Sequence, residues 1–296
     1  MEPFSDLHVL SVKYLALDAK RLSRLDSFLE NFASLFHRAD QFLRFKSYVL
    51  GILSTTERKN VESIASAMLE HAPDNRYNAQ SLQHFVSNSP WNHNTLRREL
   101  YKCSKKDRFD PKAIIFVHDG IFAKKGRHSI GVQRQYARSL GQKINCQVGV
   151  FVTQFGPSGF FPLAAQLYLP STWMRDNAAK VAQQIPEENR APNTKAEIAL
   201  DLLNELVELG EPKLPVFAEA GYISDEKFLS NLIASGFTIA ENSESLLRTV
   251  TEKFAWLKSD FGLDHFEGRT WHGWHHHVML IFVAYHFLAK ECRFYN

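Results

Sequence analysis

Cysteine is scarce in this chain: Cys103, Cys146 and Cys292 are three in number, far apart and without any CxxC spacing. That excludes a disulfide framework and reads as the reduced thiols of a cytoplasmic protein. Residues 1–8 (MEPFSDLH) hold no basic stretch followed by an apolar one, so no secretory leader is expected. Long hydrophobic runs are missing too. The most apolar segment, residues 278–288, is interrupted by Tyr285 and His286 and falls short of the ~20 residues a bilayer requires, so it reads as a core helix and no membrane partner is expected. Residues 126–131 lack the Gly-Lys-Ser/Thr of a phosphate loop, which leaves a nucleotide cofactor without support. Net charge is also small, only +3.

Apolar material is plentiful: 45% of the 296 residues are hydrophobic and 12% aromatic. Such a chain holds one large domain, or a small one beside a core of about 150 to 200 residues. The charge is unevenly spread. From Arg97 to Lys143 there are 13 Lys and Arg against four acids, an excess of +9 that leaves −6 for the rest. A local excess of this kind is the footprint of phosphate contacts, a solvated lysine-rich loop being the alternative.

Residues 18–110 read as all-helical. Leu22, Leu25, Leu29, Phe32 and Phe36 make one apolar stripe at three- and four-residue spacing, and Phe42, Phe45, Tyr48, Val49 and Ile52 make another. Residues 57–60 (ERKN) open a helix over 61–69, and short helices follow over 81–86 and 95–101. From residue 113 the period becomes that of strands, over 113–118, 147–153 and 160–169, the last two forming a hairpin around Gly156-Pro157-Ser158-Gly159. Thr194 and Glu197 spell a capping box for a helix that buries Ile198, Leu202, Leu206 and Leu209 and stops at Gly210. A fourth strand over 214–218 ends at Glu219. Ser224 is expected to cap a helix with Phe228, Leu229, Leu232 and Ile233 inside; a fifth strand over 237–240 and helices over 246–260 and 272–291 follow. The expected fold is α/β: a ribonuclease-H-like mixed sheet with flanking helices over 111–296, preceded by an all-helical N-terminal domain over 1–110.

The chain is organised around residues 113–126 (AIIFVHDGIFAKKG), an apolar strand that delivers His118-Asp119 to its own end with Lys124 and Lys125 behind. With RFKSYVLGIL (44–53), SLQHFVSNSPW (81–91), GVQRQY (131–136), NCQVGVF (145–151), LYLPSTW (167–173), TKAE (194–197) and GLDHFEGRTWHGWHHH (262–277), it resembles the bacterial insertion-sequence transposases of the DDE type. In that family two Asp and one Glu hold two divalent ions, Mg2+ or Mn2+, which activate the attacking oxygen and stabilise the leaving one in DNA cleavage and joining. These hard ions require anionic oxygen ligands.

The resemblance puts the first Asp at His118, with Asp119 one step along, and a one-residue shift in a strand turns a side chain to the other face. It puts the second at Glu219, in Ala218-Glu219-Ala220-Gly221-Tyr222, and the third at Thr251, with Glu252 about 100° further round the helix. A fourth family acid falls on Ala164. The family's insertion between the fifth strand and the acid-bearing helix is missing, only residues 241–250 lying there. What the resemblance implies for an active protein is a catalytic set of Asp119, Glu219 and Glu252, with Asp119 and Glu219 as metal ligands and double-stranded DNA as partner.

The expected phosphate contacts are Arg97, Arg98, Lys105, Lys106, Lys124, Lys125, Arg127 and Arg134. Four changes at one site, with a subdomain lost, point to a transposase-derived, nucleoid-associated DNA-binding protein, a pseudoenzyme in which strand cleavage and transfer are lost or weak. An active Mg2+-dependent transposase and a protein-interaction scaffold that does not bind DNA are the alternatives, and homodimerisation stays open. His272 and His276, four residues apart on a helix, could share an ion, whereas His275, His276 and His277 point in three directions. A structural or DNA-facing role is the favoured reading of these histidines. The five tryptophans read as core or rim packing, with Trp271 and Trp274 beside Arg269 as the pair that could stack on a splayed base.

Overall fold

The computed structural model describes residues 18–54, 58–71, 78–137, 140–241 and 244–294. The leader reading at residues 1–8 and Glu57 of the ERKN stretch lie outside them. Helix α1 (Ala19–Leu29) starts where the Asp18 carboxylate accepts the Arg21 N–H at 2.7 Å, and it passes into a 3-10 turn over Glu30–Leu35. The first apolar stripe is therefore not one helix: Leu25, Leu29, Phe32 and Phe36 are buried, but Leu22 is 38% exposed. Helices α2 (Ala39–Leu53), α3 (Val61–His71), α4 (Ala79–Ser87) and α5 (His93–Arg108) follow. The last is much longer than residues 95–101. Asn92 caps it by accepting from Asn94 and Thr95, and Lys105, Lys106 and Arg108 in its last turn complement the negative end of the helix.

The sheet comprises β1 (Ile114–Ala123), β2 (Gln133–Ala137), β3 (Gln142–Gly156), β4 (Gly159–Tyr168) and β5 (Val216–Ala218). β3 lies antiparallel to β1 from Ile114↔Phe155 to Ala123↔Cys146, and its other edge takes β2 along 142–146 and β4 along 148–156. β5 runs parallel to β1 over Ile115–Val117, which makes the sheet mixed. β2 (QRQYA) carries no apolar alternation, so the sequence did not announce it. The expected fifth strand over 237–240 shrinks to a single parallel bridge, Val216↔Ile239, because β5 is only three residues long and offers little ladder to extend.

Helices α6 (Ser171–Asp176), α7 (Ala178–Gln184), α8 (Lys195–Glu208), α9 (Ala220–Ile223), α10 (Glu226–Ala234), α11 (Glu244–Ser259) and α12 (Trp271–Phe294) complete the described chain. The capping box forms as expected, Glu197 N–H donating to Thr194 Oγ1 at 3.1 Å and Thr194 N–H to Glu197 Oε2 at 2.9 Å. Asp225, not Ser224, caps α10, accepting from Phe228 N–H at 3.1 Å, since Ser224 is used to end the short α9. Within α10, Phe228 and Leu232 are buried while Ile233 is 58% exposed.

α12 packs on α2, α4 and α5 on one side and on β4 on the other, so a single hydrophobic cluster runs through helices and sheet. α5 is tied to the sheet by polar contacts as well. Tyr101 Oη donates to Leu163 O at 2.5 Å, Gln154 Nε2 donates to Arg108 O at 2.6 Å, and the buried Arg108 guanidinium pairs with Glu211 at 2.8 Å. This mixed α/β architecture with many helices is consistent with a ribonuclease-H-like fold.

Candidate active site

β5 covers only residues 115–117 of β1, so β1 runs on past it from Asp119 to Ala123. Two clefts meet at this place. One, about 470 Å³, is lined by Asp119, Ile121, Glu219, Leu247 and Thr251 among others; the second, about 380 Å³, has Tyr136, Lys195, Tyr222 and Asp225 in its wall. Both contain Asp119 and Glu219. Strand alternation decides which acid faces them. Asp119 turns towards the clefts, and His118, the neighbour that the resemblance aligns with the family's first Asp, turns into the core.

The His118 ring stacks on Phe116 and Phe151 with centroids 4.9 and 5.6 Å away and meets the edge of Phe254 at 4.5 Å. Gly120 makes this packing feasible, because a Cβ there would sit 2.4 Å from the Phe151 ring. Burial drives the imidazole down to about 3, with a smaller push from the Lys258 charge, and its Nε2 has no hydrogen-bond partner. A neutral ring thus stands where the resemblance expects a carboxylate.

Asp119 is heavily engaged. Lys195, the first residue of α8, pairs with its Oδ2, and Tyr222 Oη donates to its Oδ1 at 2.7 Å. The phenol is held well above its ordinary range by burial and by the Asp119 charge, so it stays a donor. Glu219 is set beside it by backbone: its N–H donates to Val117 O at 3.0 Å, adding a rung below β5, and its Oε2 accepts the Asp119 N–H at 3.3 Å.

The structure does not bring Glu252 to this pair. Glu252 is 56% exposed on α11, 4.0 Å from Arg248, whereas Thr251 lines the cleft with its hydroxyl donating to Leu247 O at 2.7 Å. Adjacent helix positions differ by about 100°, which is the whole reason. Ala164 is buried in β4. Of the three carboxylates at the clefts, Asp119 is already countered by an ammonium and Asp225 is taken up in capping α10, so the set does not fit a two-metal centre, which draws on three.

Of the expected phosphate contacts, Arg97 is corrected. It is 3% exposed on the inner face of α5, paired with Glu205 of α8, because position 97 falls on the same face as Leu100, Tyr101 and Ser104. Arg98, Lys105 and Lys106 are exposed on α5, Lys105 donating to Gly210 O at 3.1 Å; Lys125 and Arg127 are exposed between β1 and β2. Arg134, on β2, is exposed and donates to Lys143 O at 3.2 Å. Lys124 is half-buried and donates to Phe266 O at 2.8 Å, and burial lowers its pKa. Trp271 and Trp274 are 2% and 3% exposed, so neither offers a face to a base. Lys195 and Tyr222 are the site residues that sequence reasoning missed. Both stand in matched blocks, TKAE and the Glu219–Tyr222 stretch, which was the available signal.

An acid inside β1 and another just past the neighbouring β5, in a mixed sheet flanked by helices, define the class as a mixed α/β protein with an acidic cleft beside its parallel strand pair. The chain belongs to the DDE superfamily endonuclease family, whose model matches residues 31–240. It is 31% identical over 212 residues to a probable transposase for insertion sequence element IS701 from Microchaete diplosiphon, a match covering 70% of this chain and 50% of that protein. The chain thus spans about half the length of the curated relative it matches. No solved structure matches it. No helix among the described residues is long and apolar enough to cross a membrane.

Proposed function

We propose that this is a transposase-derived DNA-binding protein in which strand cleavage and transfer are lost or weak. The observation that carries this reading is the Asp119 carboxylate, held by the Lys195 ammonium on one oxygen and the Tyr222 hydroxyl on the other. An internal cation takes the place that a metal would need. The buried His118 and the outward Glu252 support the same reading, since among the acids left at the clefts Asp119 and Asp225 are already engaged. Arg98, Lys105, Lys106, Lys125, Arg127 and Arg134, all exposed, supply the phosphate contacts to double-stranded DNA, and membership of the endonuclease family supports DNA as the partner.

Calorimetry with Mg2+ and Mn2+, run with a short duplex present and with Asp119→Ala and Glu219→Ala controls, tests it. The expected result is salt-dependent DNA binding with no divalent binding that the two substitutions remove. Metal binding abolished by both, accompanied by strand cleavage, would mean an active transposase instead. Failure to retain DNA at any salt would favour an interaction scaffold.

A further inference from the structure

α5 and α12 bring three imidazoles to one point, well apart in role from the Asp119 clefts. His93 opens α5, His272 and His276 lie one turn apart at the start of α12, and one potential ligand atom from each lies within 4.8 Å of the others. The sequence shows the second pair but gives no sign of the first residue. His276 is the anchor: fully buried, stacked on Trp91 at 3.6 Å between centroids, with Nδ1 2.7 Å from Val86 O and Nε2 2.9 Å from Trp91 O. A neutral imidazole carries one N–H, so it satisfies one of these carbonyls and turns a lone pair towards the other. A bound cation removes that conflict. With Nδ1–H on Val86 O, the Nε2 lone pair faces Trp91 O, which an ion bound there must displace, and a carbonyl behind the ring is the usual way of orienting a ligating histidine.

We propose that His93, His272 and His276 form a binding site for a transition-metal dication of the imidazole-preferring kind, zinc foremost. Three imidazoles and a water complete a tetrahedral sphere, and neutral nitrogen donors suit zinc, copper or nickel rather than Mg2+. At Zn–N distances of about 2.0–2.1 Å the nitrogens of a tetrahedral site stand ~3.4 Å apart, so the three rings close by roughly 1 Å on binding. The latitude comes from the surface side. His272 is exposed and His93 half-buried, and among the described residues neither ring makes a hydrogen bond that would have to break. The nearby Arg97 charge is countered by Glu205. The ion would pin the first turn of α5 to the first turn of α12.

The test uses the full chain stripped with chelator, titrated with Zn2+ by calorimetry and with Co2+ by visible absorption. One equivalent is expected, with micromolar or tighter Kd and the absorption of tetrahedral nitrogen-ligated Co2+. His272→Ala and His93→Ala should each weaken binding at least tenfold while circular dichroism and the metal-free Tm stay near those of the parent chain. Glu219→Gln should leave it unchanged. The proposal is overturned by no binding at all, which would leave His276 as a neutral core histidine, by binding indifferent to both histidine substitutions, or by binding that Glu219→Gln removes.

Discussion

Lys195 holds the carboxylate of Asp119, the one acid that the first strand presents to the clefts. The two are 76 residues apart in sequence, joined because the first turn of α8 passes beside Asp119 of β1. On the function proposed above, this ammonium stands where a divalent ion would need the carboxylate.

Removing it should expose the carboxylate. Lys195→Ala is expected to change stability by less than about 1 kcal/mol, the lysine side chain being 38% exposed and screened by water. It should also create weak Mn2+ binding, detectable by calorimetry, that disappears in the double variant Lys195→Ala with Asp119→Asn. Persistence of Mn2+ binding in the double variant would show that the ammonium was not what excluded the ion.

Restoring the family acid at His118 should fail. His118→Asp places a carboxylate among Phe116, Phe151 and Phe254, and is expected to cost about 3 kcal/mol or more in urea denaturation without giving cleavage. His118→Phe should stay within about 1.5 kcal/mol of the parent, since it removes a buried nitrogen that has no partner.

Two kinds of basic residue are separable by experiment. Arg97→Ala breaks a buried pair with Glu205 and should destabilise the fold by about 3–5 kcal/mol. Lys125→Ala with Arg127→Ala, both on exposed positions, should leave denaturation within about 0.5 kcal/mol and flatten the salt dependence of DNA binding by ~0.9 for each phosphate no longer neutralised. Equal salt slopes in parent and double variant would remove these two from the interface.

Acid should weaken the fold through its buried histidines. His118, facing Lys258, and His286, facing Arg108 and donating to Pro162 O at 3.0 Å, are each held down to about 3 by burial, against about 6.5 in an unfolded chain. Between those values the unfolded chain binds more protons, so this contribution is complete above about pH 6.5 and is lost as pH falls towards 3. By pH 5 each ring accounts for a loss of about 2 kcal/mol. A falling Tm from pH 7 to pH 5, with a shallower fall in His118→Phe, is the expected measurement.

Much of the sheet was legible because β1, β3 and β4 are apolar enough to declare their period, and α8 announced itself through Thr194 and Glu197. β2 was not, because its five residues, QRQYA, form a strand only by pairing with β3, a tertiary cause that leaves no local trace. The same limit governed the site. Sequence placed Glu219 directly after its strand, but it ended the first strand at His118-Asp119, whereas β1 runs on to Ala123 and holds Asp119 in mid-strand, and whether Asp119 or His118 faces the cleft depends on the phase of a two-residue alternation. Whether Arg97 or Arg98 meets solvent depends on a 100° step round α5. Lys195 was read as part of a cap, which it is; its long arm reaches Asp119 only because of how α8 lies on the sheet.

The attachments of α5 through Tyr101, Arg108 and Gln154 leave that helix no pivot. The exposed face bearing Arg98 and Lys105 keeps a fixed bearing on the clefts at Asp119. On the proposed DNA-binding reading, a duplex held by that face meets a rigid surface and has to do the deforming itself, so preference among DNA sequences would follow how cheaply each one bends.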